Sequence, residues 1–414
     1  MTTPSVAAAP HPGDALSRRE RLVYVLVLGA LTGLGPFTID LYLPAFPLLR
    51  DDLGVSAAAV QLTLAGTTIG FGLGQLLMGP LSDKVGRRWP LIAATALHVL
   101  ASLGALVAPD IVLLTVFRLL QGVGASASGV VAMAVVRDLY GGYPLVRMLS
   151  RLALVFALAP ILAPVIGAQL LQVWDWRGLF GFLAAYGAIL LVLVALLVRE
   201  TLPPERRVAA GHATTFDRYR ALLTDRIYLG VTLVAGMNYA ALFAYLSAST
   251  FLFQDLYGLD PQGYAVLFGV NAIGIALGVQ ISSRLARGIG PQWILAGALV
   301  LQLAASATIL ASGLAGGGLL AVAIPLWVFV LACGLIFPCV QALALVGHGA
   351  EAGTAASVQG AACFALGGLM APVVGLLPMA DAAPMGAAMV VVELVGILAL
   401  WTIVRPRTVP PLEG

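Results

Sequence analysis

Gly79-Pro-Leu-Ser-Asp83-Lys-Val-Gly86-Arg87-Arg88 is the stretch on which the fold turns. It is polar, carries three cations, and interrupts two long apolar runs, Val60 to Met78 and Trp89 to Ala108. Each run approaches the roughly 20 apolar residues that cross a bilayer as a helix. Two such spans joined by a short basic loop are the unit of a polytopic membrane protein, and the cations belong on the cytoplasmic side because short basic loops resist translocation. Gly79 and Gly86 supply tight geometry. Asp83, at the end of a span, can pair with a cation or cap a neighbouring helix, while Arg87 and Arg88 anchor the loop. Such a loop suits a gating latch that holds one side shut and parts when the helices rock.

The rest of the 414 residues has the same character, with 60% hydrophobic and only 10% charged side chains and a mean hydropathy of +1.00. An ordinary soluble domain does not have this balance. Twelve spans are predicted, near 24–48, 57–79, 90–108, 111–133, 152–172, 179–198, 227–249, 264–283, 292–312, 319–344, 355–378 and 385–404. The expected fold class is an all-α polytopic membrane protein. Residues 1–21 read as a disordered cytoplasmic tail, 22–199 and 227–405 as two six-helix bundles, 200–226 as a cytoplasmic linker and 406–414 as a second tail. No cleavable signal is evident at the start.

With both termini inside, nineteen of the twenty-two Lys and Arg residues face the cytoplasm; Arg50 and Arg177 face outward and Arg118 lies within a span. Basic residues so placed need no nucleic-acid partner. Cys333, Cys339 and Cys363 all fall inside spans and read as small buried hydrophobes. There is no Gly-x-x-x-x-Gly-Lys-Ser/Thr loop and no His/Cys cluster, so neither a metal, a cofactor nor an enzymatic reaction is expected.

The halves repeat each other. Phe156-Ala-Leu-Ala-Pro-Ile-Leu-Ala-Pro-Val-Ile-Gly167 matches Phe364-Ala-Leu-Gly-Gly-Leu-Met-Ala-Pro-Val-Val-Gly375 at seven of twelve positions, in the fifth and eleventh spans. A weaker echo at an offset of 204 pairs Asp51 with Asp255, Gly54 with Gly258, Gly74 with Gly278, Leu81 with Leu285 and Gly86 with Gly290; it sets Arg287 opposite Asp83, so the latch is asymmetric. Parallel repeats imply two pseudo-symmetric bundles with a midplane site between them.

Three ionisable residues interrupt the apolar pattern at depth, where charge is expensive and marks function by default. Arg118 lies in Leu114-Thr-Val-Phe-Arg118-Leu-Leu-Gln121-Gly122, and either faces a polar interior or snorkels to the outer end of its span. Asp40 is its candidate counter-charge, separated from Arg50 by nine uncharged residues. An acid in such a place exchanges protons or serves as a structural pair. Glu393 lies near the middle of the twelfth span, either lining a cavity or facing a neighbouring helix as a protonated acid. Asn238, Tyr239, Tyr245, Asn271 and Gln75 are candidate substrate contacts, although helix-to-helix hydrogen bonding is the simpler account of any one of them. His98 reads as a packed neutral imidazole, and Phe243 and Phe337 suit an adaptable apolar pocket.

The loop from Gly79 to Arg88 resembles the signature between the second and third helices of the major facilitator superfamily, and Arg118 with Gln121-Gly122 resembles its second motif. Thr38-Ile-Asp40-Leu-Tyr42-Leu-Pro44-Ala-Phe-Pro47 resembles the first span of the bicyclomycin and chloramphenicol resistance group of drug/proton antiporters. Arg137-Asp138-Leu-Tyr140, Ala159-Pro160-Ile-Leu-Ala163-Pro164-Val-Ile-Gly167 and Gly347-His-Gly-Ala-Glu351-Ala-Gly353-Thr-Ala355 agree with the same group. The fifth span departs from its Gly-x-x-x-Gly-Pro motif by having Ala159 and Ala163 before the prolines. The resemblance implies a multi-pass protein of the bacterial cell membrane, working as a monomer, that exports a small molecule in exchange for protons. Together with the polar residues inside spans, it groups Asp40, Tyr42, Arg118, Gln121, Asn238, Tyr239 and Glu393 as the expected coupling site and cavity, while Pro160, Pro164 and Gly167, on one helix face, suit a bent helix that swivels against the other bundle. Uptake or export of a metabolite or sugar, and ligand sensing without transport, are the alternatives.

Overall fold

The computed structural model describes residues 12–207, 220, 222–344, 352–377 and 380–409. Twelve long helices hold most of them, and no strand occurs among the described residues. In chain order they are α1 Arg18–Asp40, α2 Ala57–Val85, α3 Arg88–Leu106, α4 Ile111–Leu139, α5 Gly142–Leu170, α6 Trp176–Leu197, α7 Arg226–Phe251, α8 Pro261–Ile289, α9 Pro291–Leu314, α10 Leu319–Ala344, α11 Ala352–Gly375 and α12 Ala383–Ala399. Several begin at side-chain caps that satisfy free N–H groups: Ser17 forms a capping box with Glu20, and Ser56, Asp110, Asp175, Asp225 and Asp260 cap α2, α4, α6, α7 and α8. Large apolar side chains such as Leu100, Val112, Leu196, Val266 and Leu314 stay exposed, as lipid contact requires. Among the described residues eleven helical stretches are long and apolar enough to cross a membrane, and α5 contributes the shorter apolar stretch Leu158–Leu170.

Two predicted boundaries need correction. The first span does not continue as one helix to residue 48. It stops at Asp40, turns through a short 3-10 segment at Leu43–Ala45, and resumes as a short helix Phe46–Leu53. Pro44 and Pro47 lack the N–H that would have continued the ladder. The polar stretch after Met78 is mostly not a loop, because α2 runs on through Pro80 and Asp83 to Val85. Only Gly86 and Arg87 turn the chain, with Gly86 at φ 103. Likewise Arg137 and Asp138 sit on the last turn of α4 rather than beyond it.

The helices form two pseudo-symmetric six-helix bundles. In the first, α2 packs on α4, α3 on α4 and α6, and α1 on α4 and α5; in the second, α8 packs on α10, α9 on α10 and α12, and α7 on α10 and α11. The two seams between bundles obey the same relation, α2 against α11 and α5 against α8. Repeat-related glycines share backbone shape as well: Gly54 and Gly258 lie at φ 61 and 68, Gly86 and Gly290 at φ 103 and 84, values that L side chains avoid. The α2–α11 seam is close. A Cβ on Gly72 would stand 3.1 Å from the Ala361 carbonyl oxygen, so small residues set the approach of the backbones.

Candidate functional site

Arg118 of α4 is fully buried. Its guanidinium donates to the Thr38 carbonyl at 2.8 Å and to the Gln121 side-chain oxygen, and lies 4.0 Å from the Tyr42 ring centroid and 5.5 Å from that of Phe180. Gln121 passes a hydrogen bond to Ser102 at 2.7 Å, and Thr38 Oγ1 meets His98 Nε2 at 2.9 Å. The cation is therefore caged by a carbonyl, an amide and two aromatic faces, the surroundings in which a guanidinium tolerates loss of water. Tyr42 holds its place by sharing a hydrogen bond with Thr63 at 3.1 Å. Arg118 is an interior group and does not snorkel.

Asp40 does not pair with Arg118, contrary to the expectation from sequence. Thr38 meets the guanidinium through its backbone carbonyl and Tyr42 through its ring, and the Asp40 carboxyl makes neither contact. It is buried at 6% exposure and makes no ion pair among the described residues. Its electrostatic neighbours are Tyr245 of α7 and Tyr264 of α8, across the boundary between bundles. Those hydroxyls are themselves held, Tyr245 by Asn271 at 3.0 Å and Tyr264 by Ser249 and Thr250 at 3.1 Å each.

Near the α2–α11 seam, five rings converge. Phe364 of α11 lies 4.7 Å from Phe71, 5.5 Å from Tyr239 and 6.4 Å from Phe243 between ring centroids, and Phe337 lies 5.7 Å from Tyr239. Tyr239, Phe243 and Phe337 were legible as pocket candidates; Phe71 and Phe364 were missed, because a ring in an apolar span carries no signal of the face it occupies. Asn238 and Tyr239 part company here. Asn238 turns into the C-terminal bundle and accepts from Gln302 at 2.9 Å, and Glu393 accepts from Ser306 at 2.8 Å inside that bundle. Neither joins the Arg118 cage, so the coupling-site residues grouped from sequence divide into four places: the cage, Asp40, the ring cluster and the interior of the C-terminal bundle.

The signature residues form a clamp at the end of the molecule where α1 begins and α6 ends. Arg87 bridges Asp83 at 2.5 Å and Asp138 at 2.9 Å and also bonds Ser82. Glu200, unremarked in the sequence, receives the backbone N–H groups of Arg87 and Arg88 at 2.8 and 3.2 Å, and Arg88 reaches the Ala195 carbonyl. Burial opposes the charge on Glu200, but N–H donors from Arg87, Leu202 and Arg88 together with Arg207 outweigh it and hold the carboxyl below its ordinary value. Burial likewise opposes the charge on Arg87, and Asp138 and Asp83 overcome it, raising the guanidinium above its ordinary range. Among the described residues the partners of this clamp named here lie in the N-terminal half. The side chain of Arg287 and residues 345–351, with most of the Gly347–Ala355 motif, lie outside the described residues.

At the opposite end the halves are joined. Arg50 bridges Asp255 at 2.5 Å, Gln254 donates to the Pro44 carbonyl at 3.1 Å, Gln61 to that of Ser247 at 2.9 Å, and Gln262 to that of Ala168 at 3.2 Å. On α5, Pro164 is buried, Pro160 is half-buried, and a Cβ on Gly167 would stand 1.9 Å from the Leu41 carbonyl oxygen. The swivel helix thus packs its small residue against the break in α1. No cluster of His, Cys, Asp and Glu among the described residues could hold a metal.

Comparison with known proteins agrees with this architecture. The family model described as Major Facilitator Superfamily matches residues 26–372. The chain is 36% identical over 391 residues to the uncharacterized MFS-type transporter YdgK of Bacillus subtilis, covering 94% of this chain and 97% of that one. It is 29% identical over 384 residues to a bicyclomycin resistance protein homolog of Haemophilus influenzae, covering 93% and 96%. A crystal structure of a bacterial homolog of the human lysosomal transporter Spinster, in an inward-facing and unoccupied conformation, superposes with a TM-score of 0.74 at 15% identity, covering 95% of this chain and 98% of that one. Twelve apolar helices in two matched bundles, a caged intramembrane arginine and these similarities have one common reading: the chain belongs to the Major Facilitator Superfamily.

Proposed function

We propose that this protein is a proton-coupled antiporter that exports small amphipathic compounds, drugs or antibiotics among them, across the bacterial cytoplasmic membrane by alternating access. The observation that carries the reading is Asp40: a buried carboxyl at the break of α1 with no ion pair among the described residues, within electrostatic range of Tyr245 and Tyr264 of the other bundle. Ionised and unpaired there it is costly, so taking and giving up a proton is the chemistry its position offers. The ring cluster around Phe364 supplies apolar, polarisable walls for an amphipathic guest. The resistance named for the Haemophilus relative supports the drug class.

Both termini and the Arg87 clamp belong in the cytoplasm by the distribution of cations. The Arg50–Asp255 end is then the outer end, held shut in this conformation. The monomer works with two partners, the substrate and the proton. One proton entering down ~100 mV releases ~2.3 kcal/mol, and each pH unit adds ~1.4 kcal/mol. Together they sustain a roughly 500-fold gradient of a neutral compound per proton. The test is the susceptibility of an efflux-deficient bacterial host carrying the wild type or Asp40→Asn to chemically varied antibiotics, bicyclomycin and chloramphenicol included. Resistance conferred by the wild type and lost in an equally expressed Asp40→Asn supports the reading. A wild type that reaches the membrane and protects against nothing overturns the drug assignment in favour of a cellular metabolite.

A further inference from the structure

We propose that Glu393 is a second proton-binding site, inside the C-terminal bundle and separate from Asp40; this deepens the proton-coupled reading and rests on it. Glu393 of α12 is 1% exposed. Its Oε1 accepts from the Ser306 hydroxyl at 2.8 Å, and its Oε2 has no hydrogen-bond partner. A carboxylate so placed would be an uncompensated buried charge, while the neutral acid fits.

The surroundings extend the case from one residue to a row. One helical turn from Ser306, Gln302 of α9 donates to Asn238 of α7 and meets the Cys333 sulfur of α10 at 3.0 Å. Asn238 Nδ2, Gln302 Oε1 and Glu393 Oε2 are all buried and unpartnered. The row therefore leads from Glu393 through α9 to α7, where the next residue, Tyr239, faces the ring cluster. A water entering this row would find both donors and acceptors, the condition for a proton to pass between carboxyl and cavity. Uptake forms one O–H bond on the carboxylate, and release breaks it and returns the proton to water. Of the groups around Glu393, α9 presents the bonded Ser306 and α10 presents Cys333 as the titratable neighbour, with Met237 of α7 packed one turn along α12 at Gly396.

The repeat sharpens the point. At the offset of 204, His98 and Ser102 of α3 correspond to Gln302 and Ser306 of α9. In the N-terminal bundle α6 meets His98 with Gly187, which leaves no room for a Cβ, whereas in the C-terminal bundle α12 meets Ser306 with Glu393. At the same offset Glu393 stands opposite Ile189, so the carboxyl belongs to one half alone.

The test is infrared titration of the purified protein in lipid nanodiscs, following the carbonyl band of protonated carboxyls against pH. Two buried titrating components are expected; Glu393→Gln removes one, Asp40→Asn the other, and protons bound per molecule fall by one in each. Glu393→Asp keeps its component at a shifted position, and Ser306→Ala shifts it too, so a folding defect in one variant does not decide the matter. Absence of a Glu393 component, or one that does not respond where that of Asp40 titrates, overturns the proposal. A static Glu393 band with drug–proton exchange intact defeats this site alone. A titrating band without any drug–proton exchange by the wild type defeats the antiport reading and leaves the site standing.

Discussion

Thr38, Asp40 and Tyr42 divide two tasks at one helix end. Thr38 and Tyr42 cage Arg118, and Asp40 lies within electrostatic range of Tyr245 and Tyr264. The cage predicts that Tyr42→Ala lowers thermal stability in detergent by about 1–2 kcal/mol through loss of the ring under the guanidinium, while Tyr42→Phe retains most of it; equal loss in both would assign the effect to the Thr63 hydrogen bond instead. Glu200 makes a pH-dependent contribution. Its carboxyl is held below the ordinary value, so its stabilisation is present in full above the ordinary carboxyl range and fades as pH falls through that range to the folded-state value. Glu200→Gln should therefore be less stable than wild type by about 1 kcal/mol near neutrality, the worth of a helix cap, and the two melting curves should converge on acidification. Identity of the curves at neutral pH would remove Glu200 from the clamp.

Helices were the most readable level. Apolar runs of spanning length marked α1 to α12, and the tenth span was read to its ends, 319–344. What misled at Gly79–Arg88 was composition: glycine, proline and charge usually mark a loop, yet here Asp83 and Arg87 stand one turn apart and their ion pair extends the order of α2 past the membrane edge. The break after Asp40 was signalled by Pro44 and Pro47, but apolar residues on both sides hid it. Close helix approach is testable with matched glycines. Gly167→Ala drives a Cβ to 1.9 Å from a backbone oxygen that cannot swing aside, and should cost about 1–3 kcal/mol and most transport. Gly269→Ala on α8 meets nothing within 4 Å and should be neutral or slightly stabilising. Comparable tolerance at the two positions would contradict the α1–α5 contact.

The two bundles and their seams were legible from the internal repeat, since Phe156–Gly167 and Phe364–Gly375 fall on α5 and α11, one at each seam. The polar partnerships were not, because they depend on how each helix is rotated against helices distant in sequence. For that reason the sequence cannot show that Asp40 lies apart from Arg118, which of its two open places Glu393 takes, or that Glu200 caps the turn at Arg87. Arg50 and Asp255, 205 residues apart, close the outer end in this conformation. Arg50→Asp or Asp255→Arg should each weaken that closure and double reversal restore it, read as accessibility of cysteines introduced at Leu43; an exposed pair is worth about 0–1 kcal/mol, so the shift is at most about fivefold. No rescue by the double variant would exclude the pair as a latch. The central claim, exchange of a compound against protons through Asp40, is tested most directly in inverted membrane vesicles that hold an acid-inside gradient monitored by a pH-sensitive dye. Adding chloramphenicol or bicyclomycin should release protons from wild-type vesicles and not from Asp40→Asn vesicles containing the same amount of protein. Transport of either drug by the wild type with no proton release, or equal release by Asp40→Asn, would contradict the account.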